Sequence, residues 1–183
     1  MNLRTFASIT AITLSCAVAS VAQAASFQVV AGDTTGAPTF NRALEDFSAL
    51  SGVGVANPYT TYTFTVSVSG DYIFNTTAAF DSFVFLYQGS FDPSNATANG
   101  VAGNDDLIFG NSFYASGFEA SLTAGTTYVY VVTGFDVTDF GAYSTTIAGP
   151  SAVTAVPEVQ TYLMMALGLV GLAALRRRQQ GER

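Results

Sequence analysis

Any chemistry in this sequence has to be done with oxygen atoms. Histidine is absent, every basic residue is an arginine, and the one cysteine, Cys16, lies in the N-terminal segment. Ser-His-Asp and Cys-His triads, histidine zinc sites and lysine Schiff bases are therefore excluded. Carboxylates remain. Asn104-Asp105-Asp106 sits in a glycine-rich stretch with Asp92 and Asn95 upstream, and offers the hard oxygen ligands that suit calcium. The spacing is not D-x-[DN]-x-[DN]-G and no distal glutamate follows, so this is not an EF-hand. Asx turns, in which such side chains bond to their own backbone, account for the same residues without a metal. Calcium thus stands as a candidate ligand of Asp92, Asn104, Asp105 and Asp106, and no other cofactor is expected. A pair drawn from Asp81, Asp92, Asp105, Asp106, Asp136 and Asp139 would serve glycoside hydrolysis only if one acid had a raised pKa in a cleft. Trp, a common sugar platform, is absent. The expectation is a protein that is not an enzyme.

Charge narrows the partners. The chain carries a formal net charge of −7, and between residues 25 and 156 the acids face a single base, Arg42. Nucleic acid would be repelled, because duplex binding needs several Lys or Arg to displace counterions. Arg42, alone among acids, is expected in a structural ion pair with one of them. The acidity itself suits solubility outside the cell.

The elements that must position these residues read as strands. In residues 59–69 Tyr62, Phe64, Val66 and Val68 alternate with threonines and serines, the period of two that marks one buried and one wet face. Gly70-Asp71 then signals a turn and Tyr72-Ile73-Phe74 a second strand, which together predict a hairpin. Residues 82–87, SFVFLY, are apolar on both phases and predict a central strand covered on both faces. Residues 89–111 carry mostly loop chemistry, broken only by Leu107-Ile108-Phe109. Strand signals return over 112–122, 126–133 and 142–147. In 40–50, Phe40, Ala43, Leu44 and Phe47 fit helical spacing, so a short helix and an irregular lead-in are both open. Short strands without helix-sized crossovers predict an all-β fold, an antiparallel β-sandwich over 25–148. Its strand aromatics are expected in the core, and Tyr59, Phe91, Tyr114 and Phe135, near turns, at the surface.

The two ends read differently. Arg4 precedes an apolar run over 6–22, and Ala22-Gln23-Ala24 supplies the small residues a signal peptidase accepts, so 1–24 reads as a helical signal peptide cut after Ala24. Leu14-Ser15-Cys16 is the competing lipobox reading. Residues 149–155 are small and read as a linker. After Val156-Pro157-Glu158, residues 162–175 carry no charge and Arg176, Arg177 and Arg178 follow. Fourteen helical residues rise about 21 Å against roughly 30 Å of hydrocarbon, so this transmembrane helix spans only with help from its flanks. The arginines hold the cytoplasmic side and leave the body outside.

This ending, residues 156–180, closely resembles the PEP-CTERM sorting signal of Gram-negative bacteria: a Pro-Glu-Pro box, a short hydrophobic helix and an arginine cluster. Pro157 and Glu158 match, and Val159 takes the place of the usual second proline. The resemblance implies an exosortase that recognises the box, removes the tail and releases the body from a transient inner-membrane anchor to the cell surface or extracellular matrix. The body's "GDYIF", "DSFVFLYQGSFDP", "GNDD" and "LTAGTTYVYVVTGF" resemble secreted β-sandwich modules of the pre-peptidase C-terminal type. That resemblance implies a jelly-roll-like accessory domain that binds surfaces or polymers. The expected function is an exported surface or matrix protein with a structural or adhesive role linked to exopolysaccharide and biofilm. The alternative is a carbohydrate-binding module that uses the 89–111 loop, with or without calcium.

Overall fold

The computed structural model describes residues 25–107 and 114–157. The expected signal peptide with Ala22 and Ala24, Glu158, the apolar run 162–175 and Arg176, Arg177 and Arg178 lie outside the described residues. Among those described there are only strands, turns and irregular segments, and no helix long and apolar enough to cross a membrane.

The fold is all-β, two antiparallel sheets facing each other. One sheet has the order β1 (Ser26–Asp33), β9 (Ala142–Gly149), β4 (Gly70–Ala78), β7 (Ala115–Leu122). The other runs β10 (Val153–Ala155), β3 (Asn57–Val66), β8 (Thr127–Gly134), β5 (Ser82–Gln88), β6 (Gly100–Asn104), with β2 (Thr39–Phe40) also on β3. Strand alternation decides what each face buries. Phe64 and Val66 of β3, Val84 and Leu86 of β5, and Tyr128, Tyr130 and Val132 of β8 point inward, where they meet Tyr72 and Phe74 of β4. Phe74 stacks on Tyr130 at 5.2 Å between ring centroids. Five of the polar groups drawn into this layer pair with each other: Thr76 Oγ1 lies 2.8 Å from Tyr130 Oη and 2.6 Å from Thr145 Oγ1, and Ser82 Oγ lies 2.8 Å from Ser116 Oγ. Left unpaired, each would be a buried polar group without compensation.

The expected cover on both faces of residues 82–87 is present. Phe83, Phe85 and Tyr87, with Val129 and Val131 of β8, form a second core on the far side of the sheet, capped by Phe40, Ala43, Phe47, Phe91 and Ala96. The cap is two irregular segments, 41–56 and 89–99. Glycine lets the first one lie flat: a Cβ on Gly100 would sit 2.2 Å from the Phe47 ring, and one on Gly103 3.1 Å from the Glu45 carbonyl oxygen. Of the two readings for 40–50 the irregular one is observed, with an isolated bridge between Ala43 and Leu50. The helical spacing there reflects a cap that touches the sheet at Phe40, Ala43 and Phe47.

Three other expectations are corrected. β3 and β4 do not form a hairpin but belong to different sheets, so the chain arches from one to the other at residues 67–69. The reversal signal is the same for both; the arch sets Phe64 against Phe74 across the interior, 6.0 Å apart. The segment 149–155, expected as a linker, contains β10, whose Val153 is buried and pairs with Val66. Of the four aromatics expected at the surface, Tyr114 is exposed, whereas Tyr59, Phe91 and Phe135 are half-buried against the second core.

Candidate functional site: an arginine ringed by carboxylates

One end of the six-stranded sheet gathers most of the acids. β5 starts there after Asp81, β6 ends before Asp105 and Asp106, β8 runs out into Asp136 and Asp139, and the cap segment brings Arg42 and Glu45 over the same end. Arg42 is buried, at 3% exposure, although it carries the body's only positive side chain. Its guanidinium lies between two rings, with Cζ 4.2 Å from the Phe83 centroid and 4.9 Å from that of Phe135. Nε donates to the Phe135 carbonyl at 3.1 Å and Nη1 to the Ala43 carbonyl at 3.2 Å. Gly54 makes room for the stem, since a Cβ there would lie 2.2 Å from Arg42 Cγ. Burial pulls the guanidinium pKa down, and Asp105, Asp81, Glu45 and Asp136 pull it back up, in that order. In place of one expected ion pair, the arginine bonds to main-chain carbonyls and draws on several carboxylates at longer range.

The acids feel one another as well. The Asp81 carboxyl is pushed up to about 6, first by partial burial and then by Asp139, Asp106 and Asp105, with Arg42 opposing. The Glu45 carboxyl is raised by partial loss of solvent and by a hydrogen bond and charge shared with the Asp105 carboxyl. The Asp105 N–H donates to Glu45 Oε1 at 3.4 Å. Beside the pair lies a hollow of about 560 Å³ lined by Arg42, Glu45, Asp46, Ser51, Phe83 and Asp105 among others. The guanidinium edge can donate to hydroxyl groups and the Glu45 and Asp105 carboxylates can accept from them, beside aromatic rings.

A carboxyl whose pKa is raised on folding stabilises the fold fully below its unfolded value, about 3.9 for Asp, and the contribution fades as pH rises through the folded value. For Asp81 that window is pH 4 to 6. The melting temperature is expected to rise as pH falls from 7 to 5, and Asp81→Asn to flatten that slope. Asp33, Asp46 and Asp92 act in the opposite sense. Bonds from Thr35, Ser48 and Ser94 hold their carboxyls below the usual range, so the stability they lend is present above it and is lost on further acidification. The curve should turn down below about pH 4. Calorimetric scans of the wild type and the variant across pH 3–7 measure both limbs.

No protein-family model matches the chain, and no curated protein matches it. The assignment of function therefore rests on residues alone.

The structure does not bring the four calcium candidates together. Asp92 follows β5 in the connection to β6, at the opposite end of that pair from Asp105. Its Oδ1 accepts from the Ser94 N–H at 2.9 Å and the Ser94 hydroxyl at 2.6 Å, an Asx turn. Asn104 pairs with Val84 and so projects to the sandwich interior, whereas Asp105, just past the end of β6, meets Glu45 and lines the hollow beside Arg42 and Phe83. Among the described residues no three carboxylates converge as a metal-holding group. The 89–111 stretch, expected to present a ligand loop, contains β6, and its first half turns Phe91 and Ala96 inward, with Tyr87 Oη donating to the Ala96 carbonyl at 2.9 Å. Ile108 and Phe109 lie outside the described residues. Glu45, Phe83 and Phe135 are the members of the arginine site that sequence reasoning missed. The signal for it was the isolation of Arg42 among acids, next to a strand apolar on both faces.

Proposed function

We propose that this chain is an exosortase substrate: an exported, non-enzymatic surface or matrix protein whose jelly-roll-like sandwich is delivered by a PEP-CTERM sorting tail. In this reading signal peptidase removes 1–24. The tail holds the body on the periplasmic side of the inner membrane until the box at Val156, Pro157 and Glu158 is cut, and the acidic body joins an exopolysaccharide-rich envelope. One observation carries it. Among the described residues the last tie to the sheet is the Val156 N–H, which donates to the Thr63 carbonyl at 2.8 Å and so closes β10 at the first residue of the box. A cut there frees a closed domain. Mass spectrometry of the surface form is expected to find an N-terminus near Ala25 and no peptide beyond Pro157. Intact protein ending in Arg183 at the surface would make the tail an ordinary anchor and overturn the reading.

The hollow beside Arg42 favours a second reading, a carbohydrate-binding module that uses the arginine site instead of the 89–111 loop. Polysaccharide that raises the melting temperature of the wild type but not of a Glu45→Gln variant would select it.

A further inference from the structure

The four-stranded sheet ends in a strand with none of the usual protections. β1 has eight residues, no proline and one charge, Asp33, at its end. Its outer face presents Phe27 and Val29, 72% and 65% exposed, and the apolar row continues through Ala148 to Ile73, 53% exposed. The Thr34 N–H donates to the Gly141 carbonyl, which extends the β1–β9 ladder by one pair. Hydrogen-bonded pairs alternate along an antiparallel ladder. The even-numbered residues of β1 therefore bond to β9, and the main-chain groups of Phe27, Val29 and Ala31 point out of the sheet. Among the described residues nothing pairs with them. The remaining edges are blunted. β7 carries Glu119 and takes the Leu107 N–H on its Ala115 carbonyl, β10 has three residues, and β6 has five and leads into Asp105 and Asp106. Long, uncharged edges are templates for strand pairing.

We propose that β1 pairs with β1 of a second copy of this chain, antiparallel about a two-fold axis at Val29, which joins two four-stranded sheets into one of eight strands. The outward-pointing residues are self-complementary in that register. Val29 faces Val29, and Phe27 faces Ala31, so each large ring has a small neighbour. Charge permits the same partner in this register. The body is acidic, and two copies can meet closely only where carboxylates do not. With the axis at Val29, each Asp33 falls opposite Ala25 at the ribbon's ends, and the two carboxylates stand about 27 Å apart at 3.4 Å per residue. The acid ring around Arg42 belongs to the other sheet. The pairing also gives Phe27 and Val29 apolar cross-strand neighbours on the outer face, a role that their exposure in the single copy lacks. It stands independently of the sorting reading.

The test uses the full chain in a non-ionic detergent. With Cys16→Ser and Val29→Cys, the facing Cα atoms would lie about 5.5 Å apart, within disulfide range. Mild oxidation is expected to give a covalent dimer. Ile73→Cys in the same background, on the same face but roughly 28 Å from its copy, five strand spacings across and four residues along, is expected to give little. The parent chain should sediment as two copies, and Val29→Lys, which sets like charges on the axis, as one copy that keeps a single cooperative melting transition at a somewhat lower temperature. Equal cross-linking at both positions, a parent that sediments as one copy at roughly 100 μM, or a dimer that survives Val29→Lys would each overturn the proposal.

Discussion

Arg42→Met is expected to lower the stability of the sandwich by about 3–5 kcal/mol, the largest loss foreseen for any single substitution here. The methionine would fill much of the stem's volume over Gly54, so the loss is not a cavity effect. It comes from polar groups left behind. The Phe135 and Ala43 carbonyls lose their charged donors, and an orphaned buried acceptor costs about 1–3 kcal/mol. The face contacts with Phe83 and Phe135 lose their cation, worth about 2 kcal/mol when desolvated. Asp105, Asp81, Glu45 and Asp136 then repel one another without the one opposing charge among them. Arg42→Lys should fall between the two. It restores the charge, but a point ammonium cannot lie flat between two rings while bonding two carbonyls. Urea midpoints of the three proteins give the order, and a methionine variant as stable as the wild type would mean that the acids hold this end without the arginine. Lowering the pH to 5 should rescue part of the Met loss, since Asp81, pushed up to about 6, then takes a proton and no longer needs the guanidinium.

How far the sequence foretold this structure depends on the range of the signal. Strands with a strong period or a doubly apolar run, β3 and β5, were legible because their burial is written in their own side chains. The cover over residues 82–87 was legible as a requirement, but the segments that supply it were not. Phe40, Ala43 and Phe47 carry a helical spacing that the sheet beneath them overrides, and what lets them lie flat is the pair Gly100 and Gly103 on a strand that reads as loop. β6 hides for the same reason: Gly100, Val101, Ala102, Gly103 and Asn104 have weak strand propensity, and the pairing with β5 makes the strand. The β3–β4 arch was misread because a turn signal is local and the choice of sheet is not.

The site divides along the same line. Asp92 and Asp105 look equivalent in the sequence, yet one serves an Asx turn and the other a carboxyl pair, because the β5–β6 pairing places them at opposite ends. Neighbours Asn104 and Asp105 part where β6 ends, one facing the interior opposite Val84 and the other lining the hollow beside Arg42. Proximity in sequence suggested a ligand set, and strand geometry dissolves it. Arg42 was singled out correctly as the exceptional charge, but its partners, two rings and two carbonyls, come from residues scattered between 43 and 135.

A chain that stops at Gly149 is expected to be about 2–4 kcal/mol less stable than one that stops at Pro157, although both retain every strand foreseen from sequence. Val153, 5% exposed, leaves the core, and burial of a valine side chain contributes about 1.5 kcal/mol or more. The Ser151 hydroxyl, 2.8 Å from Tyr72 Oη, goes with it, though Tyr72 keeps its bond to the Val68 carbonyl. Pro150, against Gly70 at the start of β4, is lost too. The Phe64–Val66 edge of β3 is uncovered, and an exposed strand edge invites pairing with other chains. The shorter protein should therefore melt earlier and scatter light on heating, while the longer one keeps the wild-type midpoint. Equal midpoints would return 149–155 to the status of a linker. The physical stake reaches the processing proposed above: a protease that cut before β10 would release a weakened domain with a raw edge. A cut in the box just after Val156 would release one whose β10 is already closed against Thr63.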